Sequence, residues 1–466
     1  MATVTPVAGL DELRTQLRGA LITPDDEGYD EARSVYNGSI DKRPAAIARC
    51  ADAADVATAI GYARAQGLDI AVRGGGHSGA GYGTSDGGLV IDLSPQRWVR
   101  VDPETRLVQV GGGCDLGDID HATYPFGLAV PVGTFSITGI GGLALGGGLG
   151  HLTRKYGLTI DNLLDADVVL ADGSLVKASA EQNPDLFWAL RGGGGNFGVV
   201  TAFTFEAQPV PTLLAGPMFW PLERTQEVMR FWADFLADAP DDLTGFFAFL
   251  TIPPVPLFPE ALHNQKVCAI IWAWTGPADQ VDEALAPARA LEPMLDGVHA
   301  IPLPVLNSLF DPLYPPGMPQ YWRADFIEEF TDEAIAKYAE VGPSYTVPMT
   351  QIHLYPIDGA ASRVPSDATA WEYRSARWAS VLFSVSPDPA DAPSLREWTV
   401  GAWEALHPYS AKGGGAYVNF MMEEGEDRVR ASYGSNYERL AQIKSKYDPE
   451  NVFHLNQNIA PAGGSA

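Results

Sequence analysis

The heptad Arg73-Gly74-Gly75-Gly76-His77-Ser78-Gly79 constrains this chain more than any other stretch. It follows the short apolar run Ile70-Ala71-Val72 and precedes a second, Gly88-Leu89-Val90-Ile91-Asp92. Three successive glycines leave a backbone without Cβ atoms, so its N–H groups can close around a phosphate or a flat ring. Alone, the heptad also reads as a mobile loop with a surface histidine; its surroundings decide. Upstream, residues 43–50 read as a short strand. A helix follows, with Asp52 as N-cap, Asp55 in the first turn, Val56, Ile60 and Ala63 on one face, and Gly67 as C-cap. A strand over 68–72 then delivers the glycine loop, completing a βαβ unit of the kind that holds nucleotides in α/β proteins. The polar residues 1–40 predict a helix over 10–21 and a loop.

Further glycine clusters follow. After a strand over 89–93, a hairpin over 98–102 and 107–110 and a helix over 116–124, Gly133, Gly139, Gly141, Gly142, Gly146, Gly147, Gly148 and Gly150 crowd an otherwise apolar stretch. So many glycines point to close approach of backbone to something flat or charged. The run from Asn183 leads through Leu186-Phe187-Trp188-Ala189-Leu190 into a third loop, Arg191-Gly192-Gly193-Gly194-Gly195-Asn196-Phe197-Gly198, and a strand over 199–205. Three such loops, each attached to a strand, describe a large ligand with several distinct parts.

From about residue 208 to 413 glycine thins out and alternating aromatic strands appear, over 244–251, 266–274 and 379–385. Helices are predicted over 225–237, 278–291 and 394–406, so a sheet with helices on one face is expected. The last fifty residues again have the character of a nucleotide-binding segment, with Tyr417-Val418-Asn419-Phe420 as a strand, a helix over 435–447 and the ending Asp448-Pro449-Glu450-Asn451-Val452-Phe453-His454-Leu455-Asn456-Gln457-Asn458-Ile459. The expected fold is α+β. Residues 207–413 read as a second α+β domain between two glycine-rich ends.

A net charge of -27 opposes a nucleic-acid partner. Cys50, Cys114 and Cys268 are odd in number and widely spaced, which argues against a disulfide framework or a structural zinc site. The histidines outside the glycine loop show no ligand spacing, so no metal site is expected. No run is long enough to span a membrane, and Met1-Ala2-Thr3-Val4 lacks signal-peptide features; a cytoplasmic protein is expected.

Together these segments resemble the berberine bridge enzyme-like branch of the vanillyl-alcohol-oxidase type flavoproteins. The matches are Arg-Gly-Gly-Gly-His-Ser, the glycines from 139 to 150 followed by Arg154-Lys155-Tyr156-Gly157-Leu158 and Asp161-Asn162, the Leu-Phe-Trp-Ala-Leu-Arg-Gly-Gly-Gly-Gly-Asn-Phe-Gly block, and the closing Tyr447-Asp448-Pro449 to Ile459. The resemblance implies that residues 1–206 and 414–466 together form an FAD-binding domain and that residues 207–413 form a substrate domain covering its isoalloxazine. It makes His77 the covalent anchor to the flavin. Arg73, Gly74, Gly75, Gly76, Ser78, Gly79, Gly133, Thr134, Thr138, Gly139, Gly142 and Gly146 become cofactor contacts, with Tyr156, Asn162, Val200, Asn419, Asn456 and Asn458. Many relatives carry a second link through a cysteine where this chain reads Gly133-Thr134-Phe135-Ser136-Ile137, so a single covalent bond is expected.

The implied chemistry is hydride transfer from an alcohol or amine carbon of a small-molecule substrate to flavin N5, with O₂ as acceptor and hydrogen peroxide as product. A dehydrogenase with another acceptor, and a flavin-binding protein without turnover, are the alternatives. Tyr417 is the first candidate for the base, although relatives often carry a second tyrosine where this chain has Phe420. Gln351, His353 and Tyr355 alternate onto one face of a strand over 349–355. His353 has an intrinsic pKa suited to base work near neutrality. Tyr321 and Tyr373 are expected in the pocket. His151 is placed to touch the cofactor. The aromatics Trp272, Trp274, Tyr321 and Trp322 fit a flat or sugar-like ligand, or equally a packed core.

Overall fold

The computed structural model describes residues 8–210 and 212–463; Met1–Val4 lie outside them. Strands Ala46–Arg49, Leu89–Asp92 and Ile70–Arg73 form a parallel core, with Ala46 and Ile70 both in register with Leu89. The helix Ala53–Gln66 crosses over it. Asp52 accepts from the N–H groups of Ala54 and Asp55, Gly67 closes the helix at φ 63°, and Val56, Ala59, Ile60 and Ala63 are buried against the strands. The local signals for this unit are all within a few residues of one another, which is why they are legible in sequence.

The helix expected over 10–21 is shorter. It runs Leu10–Gln16, and Ala20–Ile22 instead pairs antiparallel with Ile47 to Arg49. The reason is tertiary: the backbone N–H groups of Arg18 and Gly19 both donate to the Asp55 carboxylate at 2.8 Å. That draws the chain onto the sheet edge.

A second sheet, wholly antiparallel, takes the order Val99–Asp102, Leu107–Gly111, Val199–Glu206, Leu163–Val169, Leu175–Ser179. The glycine stretch 139–150, expected as a loop, contains a two-turn helix, Ile140–Gly146. Its small residues let that helix sit against neighbouring backbone.

The large antiparallel sheet is built from strands between Leu213 and Val385. Helices Thr225–Asp238, Val281–Arg289, Asp332–Val341 and Ala392–Leu406 cover one face. Under them lie Phe247, Phe249, Trp272, Trp274, Ile352, Leu354 and Leu382. Their sequence neighbours Phe246, Ala248, Ile271, Tyr355, Val381 and Phe383 pack on the opposite face with Leu149, Leu158 and Tyr417 from the glycine-rich half. Period-two alternation thus gives the sheet one helix face and one face toward the glycine loops. Trp232 is fully buried at the helix face and its indole donates to the Gly245 carbonyl at 2.7 Å. Burying a side chain of this size contributes about 3 kcal/mol.

The C-terminal segment closes the fold. The helix begins at Tyr437 rather than 435, after a 3₁₀ turn, and ends at Tyr447. Lys444 and Asp448, both 0% exposed, pair at 2.6 Å, and Lys444 also donates to the carbonyls of Asn196 and Phe453. The expected strand over 417–420 is a 3₁₀ turn, Val418–Phe420. Among the described residues no helix is long and apolar enough to cross a membrane.

Candidate active site

A cavity of about 330 Å³ lies between the glycine loops and the helix-free face of the large sheet. Its floor is backbone. A Cβ on Gly75 would stand 2.5 Å from the Gly139 nitrogen, so the first two glycine loops touch main chain to main chain. Gly76, at φ 67°, turns the chain so that His77 follows into the cavity wall. The His77 ring stacks on Tyr36 at 3.8 Å, its Nε2 is buried without a partner, and burial pushes its pKa down to about 4. It is a neutral imidazole with a nitrogen lone pair available.

Arg73, Gly74, Ser78, Gly133, Thr134, Thr138, Gly142, Val200, Asn419 and Asn456 also line the cavity. The Arg73 guanidinium is turned to Asp92, at 2.9 Å, so it braces the loop. Several expected contacts are elsewhere. A Cβ on Gly79 would meet Trp322 and Met422, and one on Gly146 would collide with Asn419, so both glycines serve packing. Tyr156 donates to the Pro209 carbonyl at 2.8 Å, and Asn162 spends its amide on the carbonyls of Tyr156 and Leu158. Asn458 lies outside the lining, although its Oδ1 is buried without a partner, as is that of Asn456.

The opposite wall is aromatic: Phe135, Tyr314, Trp322, Tyr355, Phe383, Tyr417 and Phe420. Tyr417 accepts from the Gly148 N–H at 2.8 Å and from Asn419 Nδ2 at 2.7 Å. Its hydroxyl proton is therefore directed away from both. Burial raises its pKa above the ordinary tyrosine range, and the two donors pull the other way.

Gln351 and His353 stand one layer behind this wall. His353 Nδ1 is 2.8 Å from the Tyr355 hydroxyl and Nε2 is 2.6 Å from Gln351 Oε1, while Gln351 Nε2 donates to the Tyr314 hydroxyl. With Gln351 oriented this way, His353 carries its proton on Nε2 and accepts from Tyr355 at Nδ1. Burial pushes its pKa down to about 3, well below the intrinsic value that suggested base work near neutrality, and its ring lies between Phe246 and Phe383. Tyr355 shares the expected face and is the member of it that reaches the cavity.

Tyr321 and Tyr373 do not line the cavity. Tyr321 is on the helix side of its strand beside Arg323 and Arg396, and its neighbour Trp322 points in. Tyr373 stacks on Phe326 at 4.5 Å and donates to the Ala431 carbonyl. Trp272 and Trp274 are core residues under the helices. His151 is buried near Phe246, outside the lining. Tyr36, Tyr82, Tyr314 and Gln320 line the cavity without any local signal in the sequence, and Asn196 and Gln457, from the third glycine loop and the closing segment, line it as well.

This donor set fits FAD. The glycine floor offers bare backbone to a flat ring, the unpartnered polar atoms of His77 and Asn456 stand at its edge, and an apolar wall faces it. Among the described residues no group of three or more His, Cys, Asp or Glu side chains comes together as a metal cluster would require.

Residues 44–179 match the FAD binding domain family, and residues 416–460 match the family described as berberine and berberine like. An FAD-linked oxidoreductase of Bacillus subtilis is 33% identical over 96% of this chain and 98% of its own. The (R)-6-hydroxynicotine oxidase of Paenarthrobacter nicotinovorans is 31% identical over 96% of this chain and 98% of its own. Among solved structures, 6-hydroxy-D-nicotine oxidase from Arthrobacter nicotinovorans superposes with a TM-score of 0.84 at 29% identity, covering 95% of this chain and 98% of that one. Glucooligosaccharide oxidase from Acremonium strictum, whose cofactor is a 6-S-cysteinyl, 8α-N1-histidyl FAD, superposes with a TM-score of 0.85 at 25% identity over 98% of this chain and 100% of that one. With likeness over nearly its full length, an FAD binding segment under the cavity and a berberine-like segment closing it, this α+β chain belongs to the berberine bridge enzyme-like FAD-linked oxidoreductases.

Proposed function

We propose that the protein is an oxidase that takes a hydride from an alcohol carbon to FAD, with O₂ as electron acceptor and hydrogen peroxide as product. The observation that carries this reading is the wall of the cavity: Tyr355 and Tyr417 line it opposite the glycine floor, and no carboxylate stands among the described lining residues. A cationic amine would find no counter-charge there, so an uncharged alcohol is favoured. FAD, when bound, supplies the two-electron acceptor. The chain's own residues orient the substrate and hold its hydroxyl proton. Tyr417, held by Gly148 and Asn419, donates a fixed hydrogen bond toward the substrate. Tyr355, whose own proton is held by His353 Nδ1, offers its oxygen to the substrate hydroxyl and holds that proton in line as the hydride leaves. Gln351 fixes the His353 tautomer and ties it to Tyr314.

His77 is the single covalent anchor in this reading. The segment 133–137 carries no cysteine, and its Phe135 packs on Phe310 and Tyr314. Cys114 is buried, outside the lining, with its Sγ 3.1 Å from the Trp98 carbonyl. Cys50, Cys114 and Cys268 are all unpaired thiols, in keeping with a reducing, cytoplasmic setting.

The test is anaerobic mixing with alcohols, sugars and amines while following loss of the oxidised-flavin absorbance, then readmission of oxygen. Alcohols bleach the flavin, and each cycle releases one peroxide. Bleaching without peroxide would make the protein a dehydrogenase. No bleaching by any alcohol, in protein that dithionite reduces, would remove the proposed reaction.

A further inference from the structure

We propose that Tyr36 is the platform that holds His77 for attachment of the flavin, and that the substrate-side sheet domain puts this platform in place by docking. The inference rests on the covalent role assigned to His77 above and goes beyond it. The His77 and Tyr36 rings lie 3.8 Å apart and 16° from parallel, and Trp322 of the large sheet stands on the ring at 6.4 Å, tilted by 52°. An imidazole held flat against a phenol has its in-plane nitrogen lone pairs fixed in direction. A freely rotating histidine on a glycine loop would spend most of its time misaligned.

Tyr36 is itself held from both sides. Its N–H donates to the Gly76 carbonyl at 3.0 Å, next to the anchor. Its hydroxyl donates to the Tyr314 carbonyl at 3.0 Å, and its carbonyl accepts from the Gly317 N–H at 2.9 Å. Asn37 repeats the pattern: its amide donates to the Gly79 carbonyl at 2.7 Å and to the Gln320 carbonyl at 3.2 Å, and its Oδ1 accepts from the Gln320 N–H. Gly38 donates to the Met318 carbonyl at 2.8 Å. Tyr36 and Asn37 thus stitch the glycine loop to the stretch 314–320 of the substrate domain, and Gly38 adds a bond to that stretch. With that domain undocked, Tyr36 loses one of its two supports and His77 its backing.

The attachment balances as follows. A bond forms between an imidazole nitrogen and the 8α carbon of the flavin; that methyl gives up one proton and the imidazole another. The electron pair released is carried to dioxygen, which with the two protons becomes hydrogen peroxide. A neutral imidazole is the competent nucleophile, and burial keeps His77 in that form.

The test follows covalent flavin, not turnover. Wild type, Tyr36→Phe, Tyr36→Leu and Asn37→Ala are prepared from riboflavin-limited cells and incubated with FAD in air. Flavin remaining with acid-precipitated protein, the mass of the His77 peptide and total bound flavin are read over time, with thermal melting as the control for folding. Tyr36→Phe, which keeps the stack and the backbone bonds to Gly76 and Gly317 but loses the hydroxyl bond to the Tyr314 carbonyl, attaches flavin faster than Tyr36→Leu and only somewhat more slowly than wild type. Tyr36→Leu binds FAD but attaches it more slowly by about tenfold or more, as expected for a misplaced nucleophile. Asn37→Ala, which loosens only the stitch, is slowed in the same direction. Attachment by Tyr36→Leu at the wild-type rate overturns the platform. If that variant does not fold, wild-type attachment by Asn37→Ala overturns the docking requirement. Absence of covalent flavin from the wild type itself removes instead the role of His77.

Discussion

Lys444 and Asp448 form an ion pair with no exposure at all, and the glycine loop over the cavity hangs on it. The ammonium donates to Asp448 at 2.6 Å, to the Asn196 carbonyl at 2.6 Å and to the Phe453 carbonyl at 3.0 Å. Asp448 also accepts from the N–H groups of Val452 and Phe453. Lys444→Met removes the ammonium and leaves a buried carboxylate and two carbonyls unpaired. Breaking a buried pair from one side costs about 3–5 kcal/mol. The two remaining backbone donors to Asp448 keep the expected loss at the lower end, about 3 kcal/mol. For a chain of this length melting in one transition, that is a fall of about 3 °C in Tm. Adding Asp448→Asn to Lys444→Met removes the stranded charge and recovers about 1–3 kcal/mol as coupling. Because Asn196 lines the cavity, the single variant also binds FAD more weakly, read by flavin fluorescence. A melt of Lys444→Met within about 1 °C of wild type, with unchanged coupling, refutes the premise that this pair is electrostatically buried.

Further outcomes follow from the same contacts. His151 and His353 have pKa values pushed down to about 4 and about 3 by burial, below an unfolded value of about 6.5. The unfolded chain therefore binds more protons below that value, and stability falls as pH drops from about 6.5 toward about 4. Its slope is about 1.4 kcal/mol per pH unit for each histidine, and His353→Leu flattens it in acid denaturation curves. Gly75→Ala places a methyl against the Gly139 backbone and gives colourless protein. Gly61→Ala, on the exposed side of helix Ala53–Gln66 with open space around it, raises stability by about 0.5–1 kcal/mol in urea melts. Tyr355→Phe lowers the rate of flavin reduction by about 10²–10⁴, whereas Tyr321→Phe leaves it unchanged in stopped flow.

Local and periodic features are legible in the chain alone. The capped helix from Ala53, the glycine-rich segments, the alternating strands and the family resemblance all depend on residues near one another in the chain, whose spacing is itself the physical cause of the structure. The placement of His77 on the cavity wall belongs here too, since the glycines that deliver it are its neighbours. Which side chains complete the site depends on contacts between distant segments. Whether Tyr321 or Trp322 points inward is a matter of strand register, which inverts with a shift of one residue. Tyr355, not His353, meets the cavity because the strand lies deeper than its pattern of polar residues suggests, and the same burial takes His353 out of the range of a neutral-pH base. Tyr36 backs His77 from 41 positions upstream, held by Tyr314 across 278 residues. Contacts over such distances leave no periodic trace in the chain, because they are created by the docking of separately formed layers.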